Sequence, residues 1–140
     1  MKAHGTFTPA KWDENTVNQI SPVKKITKAS VVLDFGKDGE ITGKATVEWL
    51  MFYKYSDEKD QHNSSASFVG LMRFEGTLNG KSGSFVMEDR GTFDNGALNA
   101  SLTILPASGA GELQDISGTA KYASGSSRVD FEIEYEISGV

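Results

Sequence analysis

The side chains that could do chemistry in this chain are above all carboxylates: 19 Asp and Glu stand against two His and no Cys in 140 residues. Without cysteine there is no thiolate nucleophile, no thiolate zinc site and no disulfide framework. Two histidines, His4 and His62, are too few for a multi-histidine metal centre, and no serine has a base and an orienting acid at a spacing that suggests a hydrolytic triad. Acid–base work would fall to a carboxylate whose pKa is moved by burial. Two acids invite that reading: Glu48, inside the apolar run VEWLMFYKY (47–55), and Asp89, inside FVMEDRGTF (85–93).

Other patterns fail on their context. The run GTLNGKS (76–82) is one residue short of a phosphate-binding loop and continues into a strand, so no helix N-terminus would face a phosphate. Asp34-Phe35-Gly36 matches a kinase triplet in a chain with no other kinase element. Asp57, Glu58, Asp60 and His62 are metal-ligand types without a recognised spacing, and read as a solvated charged loop. Neither a metal nor a cofactor is expected.

What must position Glu48 and Asp89 is a set of strands. Fifteen glycines, little helical periodicity and turn signals about every 10 to 15 residues indicate an all-β chain. Eight strands are predicted, at 3–12, 25–36, 40–55, 66–78, 81–93, 97–106, 112–123 and 127–138. In the last, Val129, Phe131, Ile133, Tyr135 and Ile137 alternate with Asp130, Glu132, Glu134 and Glu136, so the acids face water.

Turn chemistry then predicts register. Asn79-Gly80 and Asn95-Gly96 are two-residue type I′ signals that pair Leu78 with Lys81, Gly70 with Asp89, Phe93 with Leu98 and Asp89 with Leu102. A three-residue turn at Lys37-Asp38-Gly39 would set Phe35 opposite Ile41 and Thr27 opposite Trp49. Matching apolar faces across the loop after Tyr55 sets Val47 opposite Phe74, Trp49 opposite Met72 and Tyr53 opposite Phe68. These pairings agree on one inner face, which includes Val31, Leu33, Phe35, Val47, Trp49, Met51, Phe68, Met72, Phe74, Phe85, Met87, Leu98, Leu102 and Ile104.

Up-and-down antiparallel strands that bury one face can close, so the fold class expected is an all-β, closed eight-stranded antiparallel up-and-down β-barrel forming a single domain over 1–140; a two-sheet sandwich is the alternative. The connections 13–24 and 56–65 fall at one end with the Asn95-Gly96 and Ser124-Gly125 turns, and that end is the expected mouth.

On this register Glu48 points outward between Lys28 and Arg73, a surface ion-pair trio rather than a catalytic acid. Its outward neighbours Leu50, Phe52, Val69 and Leu71 form an apolar patch that predicts a subunit interface, unless a bulge or a loop covers it. Asp89 is the one charged residue placed on the inner face, beside Gly70. It is the candidate acid or base, with Trp49, Tyr53, Met72 and Tyr122 as an apolar ligand-binding wall around it. The plain structural alternative is an Asp89 that only accepts hydrogen bonds from a tyrosine or a backbone amide.

A net charge of -5 and a pI near 5.0 argue against nucleic acid or an anionic membrane as partner, leaving a small apolar molecule and other copies of the chain. No segment approaches the roughly 18 to 20 apolar residues of a membrane span, and MKAHGTFTPAK lacks the apolar core of a secretory signal, so a cytoplasmic location is expected.

The runs Met1–Phe7 and Trp12-Asp13-Glu14, then Ala45–Met51, Ala66–Leu71, Gly83–Val86, Gly91-Thr92-Phe93 and Ser108–Leu113, resemble a bacterial family of uncharacterised small proteins over nearly the whole chain. That family is grouped with allene-oxide-cyclase-like β-barrels, which implies a closed, often oligomeric barrel with an apolar interior. The cyclase's catalytic residues do not map onto this sequence, so cyclase activity is a fold-level analogy. The readings that follow are a ligand-binding barrel, a cofactor-independent isomerase or cyclase that uses Asp89, and a structural or interaction protein with a filled barrel.

Overall fold

The structure, a computed structural model, describes residues 1–57, 59, 63–124 and 128–138. Its elements are β1 (Lys2–Gln19), β2 (Lys25–Gly36), β3 (Ile41–Tyr55), β4 (Ser65–Leu78), β5 (Lys81–Asp94), β6 (Ala97–Ile104), β7 (Ala110–Gly111), β8 (Ile116–Ser124) and β9 (Val129–Ile137). All nine lie in one antiparallel sheet, ordered β4-β3-β2-β1-β9-β8-β6-β5-β7, and β4 pairs also with β5. The backbone hydrogen bonds therefore run in a ring, with β7 attached beside it at Gly83 and Ser84 of β5. Among the described residues there is no second sheet, as the sandwich alternative would require. No helix among them is long and apolar enough to cross a membrane.

Alternation decides which face is inside. Every residue expected on the inner face is buried except Leu98, which packs half-buried against the core. In β9, Phe131, Ile133 and Tyr135 are buried while Asp130, Glu134 and Glu136 are exposed. Phe7, Phe35, Phe74 and Phe131 fill the ring toward the end that carries the β2–β3 and β4–β5 turns, in tilted and edge-to-face contacts at 5.2–5.6 Å.

The two-residue turns carry the expected registers. Asn79 and Gly80 have φ of 48° and 83°, Asn95 and Gly96 of 50° and 84°, the left-handed pairs that a type I′ turn needs. Leu78 pairs with Lys81, Gly70 with Asp89 and Asp89 with Leu102.

The other two registers differ from expectation by two residues. Thr27 lies opposite Met51 and Trp49 opposite Ala29, because the β2–β3 link is longer than a three-residue turn and an irregularity between Asp34 and Gly36 precedes it. Across β3 and β4, Val47 pairs with Met72, Trp49 with Gly70 and Tyr53 with Ala66. A slip of two keeps every side chain on its own face.

Strand ends differ as well. Residues 112–115 form a turn, since Gly111 and Asp115 take φ of 68° and 65°, so β8 starts at Ile116. β1 continues through the expected loop to Gln19. It does so across a bulge: Pro9 pairs with Leu33 and Lys11 with Val32, leaving Ala10 over. The extra residue reverses the alternation. Before it Ala3 and Phe7 are buried; beyond it Trp12 and Glu14 lie opposite the buried Val31 and Ala29.

Candidate functional site

One row of inward positions runs through Glu14, Ala29, Trp49, Gly70, Asp89, Leu102 and Ala120, each paired with the next on the neighbouring strand. The small residues on either side of Trp49, Ala29 and Gly70, leave room for its indole to lie along the sheet. Gly70 is also forced by the backbone, since a Cβ there would sit 1.9 Å from the Glu48 carbonyl oxygen.

Asp89 is fully buried in this row. The Trp49 indole N–H donates to its Oδ2 at 2.7 Å, and the Tyr122 hydroxyl lies 2.9 Å from Oδ2 and 3.1 Å from Oδ1. Burial pushes the Asp89 carboxyl up to about 6, while the bonds from Trp49 and Tyr122 pull the other way. The Tyr122 phenol is held well above its ordinary range by burial and by the charge and hydrogen bond of Asp89, which keeps it a donor.

Nearer the expected mouth a second carboxylate is organised. Glu14 Oε1 accepts from the Trp12 indole at 2.9 Å, and Oε2 from Thr27 at 2.6 Å and Tyr53 at 2.8 Å. Burial, the Glu14 hydrogen bond and the Glu14 charge hold the Tyr53 phenol above its ordinary range. The Lys25 ammonium stands 5.3 Å from the centroid of the Tyr53 ring.

Between these groups opens a cavity of about 370 Å3, walled by Trp12, Trp49, Met51, Tyr53, Phe68, Phe93 and Leu98, with Glu14, Gly96 and Ser124 completing it. Trp12 is about half exposed; its rings lie 5.5 Å from those of Trp49, which in turn meet Phe68 at 5.1 Å. The β1–β2 and β3–β4 connections are tied at this end by the bond from Ser56 N–H to the Val23 carbonyl at 2.8 Å. A hollow of about 700 Å3 on the outer face of β1, β8 and β9 is larger, but His4, Asp38, Lys121, Asp130 and Glu132 give it the makeup of a solvated surface.

The expected wall is thus divided. Trp49 and Tyr53 line the cavity; Met72, Asp89 and Tyr122 are buried and contribute nothing to its lining. Trp12 and Glu14 were not anticipated, because only the Ala10 bulge turns them inward, and Pro9-Ala10-Lys11 was the sole sequence signal for it.

Glu48 does not form the expected trio. It pairs across strands with Ser30 and Leu71, accepts a 2.5 Å hydrogen bond from the Ser30 hydroxyl, and leaves Arg73 to Glu75 at 3.4 Å. The two-residue register slips moved Lys28 opposite Leu50 and Arg73 opposite Thr46. Leu50, Phe52, Val69 and Leu71 are 52, 40, 46 and 51 % exposed, with no loop over them among the described residues. Glu58, Asp60 and His62 of the charged loop, and Gly125 of the expected turn, lie outside those residues.

The ring sheet, the buried phenylalanine cluster and the half-open aromatic cavity define a small all-β protein with a cavity at one end. A family model described as "Protein of unknown function (DUF3224)" matches residues 3–135, and the chain belongs to that family. A crystal structure of a DUF3224 protein of unknown function from Shewanella oneidensis MR-1 is similar in fold, with a TM-score of 0.73 and 22 % identity over 100 % of this chain and 98 % of that one. No curated protein matches the chain significantly.

Proposed function

We propose that this protein binds a small, largely apolar molecule in the cavity between Trp49 and Glu14. The observation that carries the reading is the cavity itself: about 370 Å3, walled mainly by aromatic and aliphatic side chains, with one carboxylate organised by three donors. Sites for small molecules combine those features, an apolar wall with a few placed polar groups. In this reading the ring is a closed eight-stranded barrel of the allene-oxide-cyclase-like kind, with β7 as an accessory, and the protein works in the cytoplasm. Asp89 acts through Trp49, whose indole it fixes from beneath.

An isomerase or cyclase reading would give Asp89 the acid or base role, and its pKa of about 6 favours that. Against it, both oxygens already accept hydrogen bonds and neither lines the cavity. Binding is therefore the better supported reading.

The subunit interface belongs to the same proposal. The outward row Lys28, Leu50, Val69, Arg90 lies beside the row Ser30, Glu48, Leu71, Glu88. A second copy turned about an axis between the rows sets each Arg90 row against the other copy's Glu88 row, with the apolar residues between them. Native mass spectrometry of protein purified from its host tests both parts: a dimer with one retained small molecule per chain is expected, and a ligand-free monomer would count against each.

A further inference from the structure

The polar part of the cavity narrows the chemistry of its occupant. Five of its walls are aromatic: Trp12, Trp49, Tyr53, Phe68 and Phe93. Among the described residues that line it, Glu14 is the sole ionisable group besides Tyr53, and none is Lys, Arg or His. A carboxylate has about four acceptor positions; three here are filled by neutral donors, two on Oε2 and one on Oε1. Neutral donors hold the anion in place without cancelling its charge, and no donor among the described residues takes the second position on Oε1. Aromatic faces add negative potential of their own. The Lys25 ammonium against the Tyr53 ring shows a cation already accepted at the edge of the cluster.

Resting on the ligand-site reading above, we propose that the occupant is an organic cation, a quaternary or protonated amine on an apolar body. Its charged head sits by Glu14 Oε1 and the Trp12 and Trp49 faces, and its apolar body lies toward Phe68 and Phe93. An anionic ligand is disfavoured by the same field, and a neutral one gains from burial alone.

Both tryptophans of the chain line the cavity, so intrinsic fluorescence reports its occupancy. The probes are benzyltrimethylammonium, its uncharged carbon isostere neopentylbenzene, and phenylacetate. The cation is expected to bind about tenfold more tightly than the isostere, and phenylacetate most weakly. Glu14→Gln should reduce that preference, read as the ratio of the two affinities in the same variant, to roughly threefold or less. Trp12→Leu, at a half-exposed position that tolerates replacement, should weaken the cation more than the isostere; melting curves verify that both variants fold. An isostere that binds as tightly as the cation, or a preference that survives Glu14→Gln, overturns the cation proposal and leaves the cavity reading standing. If none of the three probes binds, the cavity reading falls and takes this proposal with it.

Discussion

The indole of Trp49 donates to the carboxylate of Asp89 at 2.7 Å, reaching from β3 to β5 over the intervening Gly70. One contact thereby couples the cavity wall to the buried interior. Tyr122→Phe keeps the shape but takes away one of the two donors to this buried carboxylate, leaving the Trp49 indole as the other. A loss of about 1–3 kcal/mol in unfolding free energy is expected from urea titration at pH 7, where Asp89 is ionised. Unchanged stability would show that the carboxylate does not rely on these bonds in solution.

The same carboxylate sets a pH signature. Its pKa is raised from 3.8 to about 6 by burial, so between roughly pH 4 and 6 the folded state holds a proton that the unfolded chain has released. Folding therefore gains from this group below its unfolded pKa, and the gain is lost as pH rises through 6, by about 3 kcal/mol in full. Unfolding free energies of wild type and Asp89→Asn, measured across that range, should differ by a term that varies in this sense. Parallel curves would contradict it.

Gly70 allows the arrangement. A Cβ at this position would fall 1.9 Å from the Glu48 carbonyl, a backbone atom that cannot turn aside, so β3 and β4 must part in Gly70→Ala. A destabilisation of about 1–3 kcal/mol is expected by calorimetry, with a red-shifted Trp49 emission as the indole loses its seat. A variant as stable as wild type, with unshifted emission, would remove the steric argument.

The sequence made much of this legible, for reasons that lie in particular residues. Asn79-Gly80 and Asn95-Gly96 each admit essentially one hairpin geometry, so the pairing of Asp89 with Gly70 and Leu102 could be read directly. Lys37-Asp38-Gly39 admits several, and the register between β2 and β3 came out two residues away. The inner face survived that slip, since its period is two; the neighbours of Glu48 did not. The mouth end of β1 was illegible for another reason. Residues 13–19, DENTVNQ, are polar but for Val17, itself exposed, as is most of that stretch, so no alternation betrays the strand or the inward turn of Glu14.

The exterior patch gives a prediction that leaves the interior untouched. Leu50 and Val69 are neighbours across β3 and β4, both about half exposed. The double variant Leu50→Glu, Val69→Glu should sediment as a 15.1 kDa chain where wild type sediments at twice that mass. Its fold stability should change by about 0.5 kcal/mol or less, as for other exposed positions. A monomeric wild type would exclude the interface.

The cavity as a ligand site is tested most directly by filling it. Leu98 projects into the space from β6, and Leu98→Trp should occupy much of the roughly 370 Å3 now open. Titration with the neutral fluorophore N-phenyl-1-naphthylamine, followed by its own emission, should saturate at one probe per wild-type chain. The filled variant should bind at least about tenfold more weakly while melting at a similar temperature. Probe emission that never saturates with wild type, or that is equal for Leu98→Trp, would contradict a binding role for this cavity.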